Sequence, residues 1–313
     1  MKRFVLSLAL GLFALTLCAQ MAPTQTLRFA QRDTCDLYLD IWEPAPGTDL
    51  LPDGTRKPTI LYVFGGGFIT GRRDDPFCFP WFKVLNDNGY RVVSIDYRLG
   101  LKGVEMRFDL FHLIDAAKKC QHAVDIGVED VFTAVRYLGD HRTELGIDMS
   151  RIVISGSSAG AMISLSSEWE VCTPDERNAI LPEGFRFAGV MSFAGAIVTD
   201  RGKPVYRTAP CPQLMFHGTA DGAVQYEKQA FGKRGMYGSD AIAAILDKAG
   251  HPYHIYRYKG HSHDMAANML ETWPEQKRFL EQNVIAGLPL TIDALLDDPG
   301  MTVRQEITLG DIY

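Results

Sequence analysis

Short apolar runs rich in β-branched residues alternate along this chain with stretches of helical spacing, from residue 25 to residue 285. That alternation predicts βαβ units on a mostly parallel central sheet with helices on both faces, an α/β fold. Thr26 to Ala30 and Asp36 to Trp42 read as an opening pair of strands, closed by a loop containing Pro44. Thr59-Ile60-Leu61-Tyr62-Val63-Phe64 is a buried strand running straight into Gly65-Gly66-Gly67, and Tyr90 to Tyr97 is the next strand. Val131, Ala134, Val135 and Leu138 share one face of a helix over Glu129 to His141. Arg151 to Ser155 is a strand ending at Gly156, and Ala159 to Leu165 suits a helix whose small residues pack tightly on the sheet. Phe187 to Phe193, Gln213 to Phe216 and His254 to Tyr258 read as three further strands, with a helix over Ser239 to Ala249. Met265 to Asn283 reads as a final helix interrupted near Pro274, and the tail from Leu288 has mixed character.

Two segments break the pattern. Residues 99–128 are rich in Phe, Leu, Lys and His and read either as a lid or insert or as a surface helix with loops. At the N-terminus, Lys2 and Arg3 precede an uncharged apolar run from Phe4 to Leu17, too short to span a bilayer. This is the form of a secretory signal, with cleavage expected after Ala19. The chain therefore divides into a signal peptide (1–19), one domain (20–287) and a C-terminal tail (288–313), and the mature protein is expected to be exported, without a membrane span. Leu17 stands where a lipidation signal wants a small residue, which ranks lipoprotein anchoring at Cys18 second.

Apolar residues at 46% and charged residues at 22% of 313 are enough to build a substantial core. The net charge is −6 and no run of Lys or Arg forms a basic block, so nucleic acid is not expected as a partner. Five cysteines lie beyond the leader, widely and irregularly spaced, which indicates neither a zinc site nor a disulfide-dense scaffold and leaves any pairing undetermined. On oligomeric state the sequence is equally silent.

The chemistry begins at Gly156-Ser157-Ser158-Ala159-Gly160. A serine hydroxyl must be presented free on a sharp strand-to-helix turn, and that crowded turn demands glycine on both sides. Ser155 and Ser157 are adjacent, but only Ser158 has glycine at both −2 and +2. A weak nucleophile of this kind needs a base, an orienting acid, and donors for the developing oxyanion. Consecutive glycines at Gly65 to Gly67 let bare N–H groups approach a substrate oxygen, so Gly66, Gly67 and Ala159 are the expected oxyanion hole. Asp221 lies in the loop after the strand ending at Phe216, at the sheet edge where α/β sites gather. Tyr258-Lys259-Gly260-His261-Ser262-His263-Asp264 follows the last predicted strand and offers two candidate bases. By residue type, His261, His263 and Asp264 could also ligate a metal, but they lack a spaced partner on another element, so neither metal nor cofactor is expected.

With these residues in place, the chain resembles the α/β-hydrolase superfamily, in particular carboxylesterases of the hormone-sensitive-lipase and acetylxylan- and feruloyl-esterase-like groups, over residues 35–285. Their His-Gly-Gly-Gly oxyanion loop is matched by Phe64-Gly65-Gly66-Gly67, their Asp-Tyr-Arg segment by Asp96-Tyr97-Arg98, and their His-Gly-Thr-x-Asp acid loop by residues 217–221. The resemblance implies Asp221 as the triad acid and His263 as the base, with His261 as the alternative alignment. Phe64 departs from the pattern where a histidine usually braces the loop. What the resemblance implies is a serine carboxylic-ester hydrolase with Ser158, Asp221 and His263 as its triad, acting on a small-molecule or glycan-linked ester such as an acetyl or feruloyl group. Two rivals keep parts of the same reading: a serine peptidase of the prolyl-peptidase type, and an inactive hydrolase fold used as a binding module.

Overall fold

The computed structural model describes residues 21–107, 109, 111–297 and 301. The segment read as a signal peptide, Cys18 and most of the tail lie outside the described residues. Nine strands form one sheet: β1 (Gln25–Gln31), β2 (Asp36–Trp42), β3 (Thr59–Val63), β4 (Arg91–Ile95), β5 (Ile152–Ser157), β6 (Gly189–Phe193), β8 (Gln213–Gly218), β11 (Tyr253–Tyr258) and β12 (Ile292–Leu296). Their order is β1-β2-β4-β3-β5-β6-β8-β11-β12. β1 and β2 pair antiparallel with each other, β2 pairs antiparallel with β4, and every later pairing is parallel. β3, β4, β5, β6 and β8 are buried at every residue. Strands covered on both faces read as continuous apolar runs, which is why these five are legible in the sequence.

Apart from a single helical turn at Arg142–Leu145, the α-helices among the described residues are α1 (Phe79–Asp87), α2 (Leu113–Asp140), α3 (Ala159–Cys172), α4 (Ser239–Ala249) and α5 (Trp273–Phe279). Alternation along β6 sorts them between the two faces. Phe193 meets Trp81 of α1 edge-on, and Trp81 Nε1 donates to Gln276 Oε1 of α5 at 2.8 Å. Its neighbour Ser192 points the other way, toward Ala161 of α3 and the chain at Gly195. On that second face α3 packs against α2, with Ile163 against Gly127. Every residue of α3 is buried, so even its acids are held inside. Burial pushes the Glu170 carboxyl up to about 7 against the opposing pull of Arg177 and Arg201.

Several expectations change. Between residues 99 and 128 the outcome is the surface helix with loops: from Leu113 onward the segment is already the first half of α2. The upstream part of its buried face sets Ala116, Ala123 and Gly127 beside Val124 and Val128, so small residues thin its hydrophobic signal. Pro274 starts α5 instead of interrupting a longer helix, since proline lacks an N–H but suits a first helical turn. Ahead of it is a 3₁₀ turn, His263–Ala267, and after it a π-helical turn, Leu280–Ile285. The tail contributes β12, an edge strand paired with β11. A small sheet of β7 (Ala196–Thr199), β10 (Arg234–Gly238) and β9 (Lys228–Phe231), in that order, is not expected from the sequence; β9 is exposed throughout and shows no alternation to read. No helix among the described residues is long and apolar enough to cross a membrane.

Candidate active site

The strand order places β4 and β5 on opposite sides of β3, so the chain reverses direction across the sheet at β3. In open α/β sheets a crevice forms at the carboxyl ends of the strands at such a point. The loop after β3 and the turn after β5 meet there. Ser158 has φ 52° and ψ −118°, a conformation a residue with a side chain adopts only when its surroundings enforce it. The enforcement is local crowding: a Cβ on Gly160 would lie 2.0 Å from the Val63 carbonyl oxygen, and one on Gly156 2.2 Å from that of Gly160. Ser158 N–H donates to Phe193 O at 2.9 Å, which ties the elbow to the end of β6. Ser157 is excluded as the free hydroxyl because its Oγ donates to Ala266 O at 2.6 Å.

Ser158 Oγ lies 2.7 Å from His263 Nε2. His263 Nδ1 lies 2.8 Å from Asp221 Oδ2. The other carboxylate oxygen of Asp221 accepts the N–H groups of Ala223 and Val224 at 2.9 Å each. Burial alone would push the Asp221 carboxyl up, but hydrogen bonds from His217 and then His263 hold it well below the usual carboxylate range. The acid is therefore ionised whenever the imidazole needs an opposing charge.

His261 faces elsewhere. Its Nδ1 is 2.7 Å from Asp264 Oδ2, while Asp264 Oδ1 accepts the Ser262 N–H at 2.9 Å. Its carbonyl accepts the N–H of Ala220, which draws the histidine loop onto the acid loop. The two loops touch so closely that a Cβ on Gly218 would lie 2.3 Å from the carbonyl oxygens of both His261 and Ser262. His261, His263 and Asp264 thus do not converge on one point, and the described residues contain no group of three or more His, Cys, Asp or Glu that could hold a metal. Because His261 shapes the loop without reaching Ser158, His261→Ala is expected to cost about tenfold or less in kcat/KM, far below the loss for His263→Ala. Steady-state kinetics of the two variants check this, and equal losses would contradict it.

The glycine loop turns at the elbow. Gly66 and Gly67 have φ 123° and 63°, and Gly66 O accepts the N–H groups of Ile69 and Thr70, closing a tight turn. A Cβ on Gly65 would lie 3.3 Å from Ser158 Cβ, so the glycine run borders the serine. Phe64 stacks on Tyr97 with ring centroids 4.4 Å apart, and Tyr97 donates its hydroxyl proton to Phe64 O at 3.1 Å. An aromatic stack braces the loop where a histidine is more usual. Arg98, beside it, is fastened to the buried Asp130 and to Glu129. All five cysteines among the described residues are free, of which only Cys35 is exposed. His217 joins the site although sequence reasoning gives it no role there. Its place in the His-Gly-Thr-Ala-Asp run is visible, but a lone motif histidine gives no sign of which atom it will face.

The carboxylesterase family model matches residues 15–170 of this chain. Esterase LipI of Mycobacterium tuberculosis is 30% identical over 115 residues, which is 36% of this chain and 29% of that protein. Carboxylesterase NlhH of the same organism is 31% identical over 107 residues, 34% of this chain and 27% of its own length. The matched segments thus span under a third of these relatives. Among solved structures, propionate-bound esterase 2 of Thermogutta terrifontis superposes with a TM-score of 0.58 at 21% identity, covering 84% of this chain and 95% of that one. The chain has the α/β-hydrolase fold. Over its N-terminal half its sequence matches the carboxylesterase family.

Proposed function

We propose that this protein hydrolyses carboxylic esters through an acyl-enzyme formed on Ser158. The observation that carries the reading is the unbroken chain from Ser158 Oγ to His263 Nε2 and from His263 Nδ1 to Asp221 Oδ2, at 2.7 and 2.8 Å. His263 removes the hydroxyl proton as Ser158 attacks the ester carbonyl, and Asp221 orients the ring and offsets the positive charge that develops on it. The N–H groups of Gly66, Gly67 and Ala159 receive the tetrahedral oxyanion. His263 then protonates the departing alcohol, and the same base activates water to release the acid. No metal or organic cofactor enters any step.

The substrate proposed is a small-molecule or glycan-linked ester, such as that of an acetyl or feruloyl group. The N-terminal leader supports export of the enzyme, where such esters occur on external polymers. Short acyl groups are in keeping with the propionate and butyrate bound by the Thermogutta protein. The test is a panel of p-nitrophenyl esters of increasing chain length with acetylated and feruloylated glycans, run on the wild-type chain and on Ser158→Ala. Turnover of short esters by the wild type alone is expected. Cleavage of dipeptidyl amides without ester turnover would favour a peptidase, and absence of both, with no fluorophosphonate labelling of Ser158, would favour a binding module.

A further inference from the structure

We infer that His217 is a positioning residue for the acid of the proposed triad, with its own tautomer set by Ser239; the inference rests on the triad reading above. His217 ends on the inside of β8 and is fully buried. Its Nε2 is 3.1 Å from the Val224 carbonyl oxygen and 3.2 Å from Asp221 Oδ2. A carbonyl oxygen can only accept, so Nε2 carries the proton and shares it between the carbonyl and the carboxylate. On the other side of the ring, Nδ1 is 2.8 Å from Ser239 Oγ, which is 3.4 Å from its alternative acceptor, Gly195 O. The closer partner takes the hydroxyl proton, which leaves the Nε2–H facing Asp221.

The consequence falls on Asp221. Its Oδ1 accepts two backbone N–H groups, and its Oδ2 accepts the imidazoles of both His263 and His217. With both oxygens engaged, the carboxylate has no freedom to turn away from His263. The chain of hydrogen bonds runs from Ser239, the first residue of α4, through His217, Asp221 and His263 to Ser158, so a helix outside the reacting atoms anchors the base. The N–H of His217 also directs the positive end of its dipole at Oδ2, which weakens the hold of Asp221 on a protonated His263. On the turn of His263 itself, His261 and Asp264 bond each other.

Two isosteric replacements separate this role from simple packing. Gln places an amide N–H where His Nε2 sits, whereas Asn reaches only the Nδ1 position and leaves Asp221 without the donor. For p-nitrophenyl acetate, H217N is expected to lose about tenfold in kcat with KM within about twofold, the scale of one hydrogen bond to a charged group. Its acid limb of kcat/KM is expected to move up by about half a pH unit, while H217Q keeps kcat within about threefold and leaves the limb in place. S239A, which removes only the tautomer-setting hydroxyl, is expected to lose about threefold in kcat. Circular dichroism confirms that each variant is folded. If H217N and H217Q have the same rate and the same acid limb, the inference is overturned. Ser158→Ala in the same assay keeps the two ideas apart: if it retains activity, the triad reading falls first, whereas if it is inactive and the His217 variants behave alike, only the role of His217 falls.

Discussion

Ser158→Ala and His263→Ala each lower kcat/KM for a short p-nitrophenyl ester by about 10⁴-fold or more, with little change in KM for whatever activity remains. The expectation follows from the way the three groups act as one unit. Without the hydroxyl there is no acyl-enzyme, and without the imidazole the hydroxyl keeps its proton at neutral pH. Neither substitution should unfold the chain. Ser158→Ala removes one hydrogen bond and keeps the Cβ, so the elbow at φ 52° is no more strained than in the wild type. His263→Ala leaves a space in a wall otherwise held by the His261–Asp264 pair and the Ala220–His261 backbone bond. Thermal denaturation should therefore place both within a few degrees of the wild type, on the order of 1 kcal/mol. Labelling by a fluorophosphonate should vanish in Ser158→Ala. A Ser158→Ala enzyme with near-normal ester turnover would exclude the mechanism.

The second large effect is on folding. Gly160→Ala is expected to destabilise the protein by about 4 kcal/mol or more, enough to leave much of it unfolded or insoluble. Its added methyl would lie 2.0 Å from Val63 O and 2.5 Å from Phe64 O, and both obstacles are backbone of the central strand β3 and the residue that follows it. A side chain can swing aside, but a strand hydrogen-bonded to β4 and β5 cannot do so without breaking its ladders. Gly222→Ala is the control, because a Cβ there meets nothing within 4 Å and the backbone is not in the left-handed region. Its melting temperature should stay within about 2 °C of the wild type. Equal stability of the two variants would mean that the close approach of α3 to β3 is not what makes glycine necessary.

Both predictions turn on the same piece of chain, and that piece is legible in the amino-acid sequence alone. The elbow is encoded locally: a buried strand, a serine flanked by glycines two residues away on each side, and a helix of small residues. The physical demand there is steric and lies within a few residues, so composition and spacing suffice to reveal it. The central strands are legible for a related reason, since burial on both faces writes a continuous apolar run into the sequence.

Contacts between segments far apart in the chain are a different matter. The histidine loop offers His261 and His263 two residues apart, and each has a carboxylate to pair with. Only the folded turn, pulled down by the Ala220–His261 bond and the close approach at Gly218, sends His263 to Ser158 and Asp221 and turns His261 to Asp264. The front half of α2 is hard to read because small residues, one of them Gly127 against Ile163, interrupt its apolar stripe. β9, exposed at every residue, carries no alternation at all. His217 shows the division most clearly. That a histidine stands four residues ahead of the acid, at the end of a buried strand, is written in the order of the residues. That its Nε2 would face the same oxygen as His263, with Ser239 on its other nitrogen, was decided by the packing of α4 against β8 and β11, because hydrogen-bond partners are chosen by distance in space and not by distance along the chain.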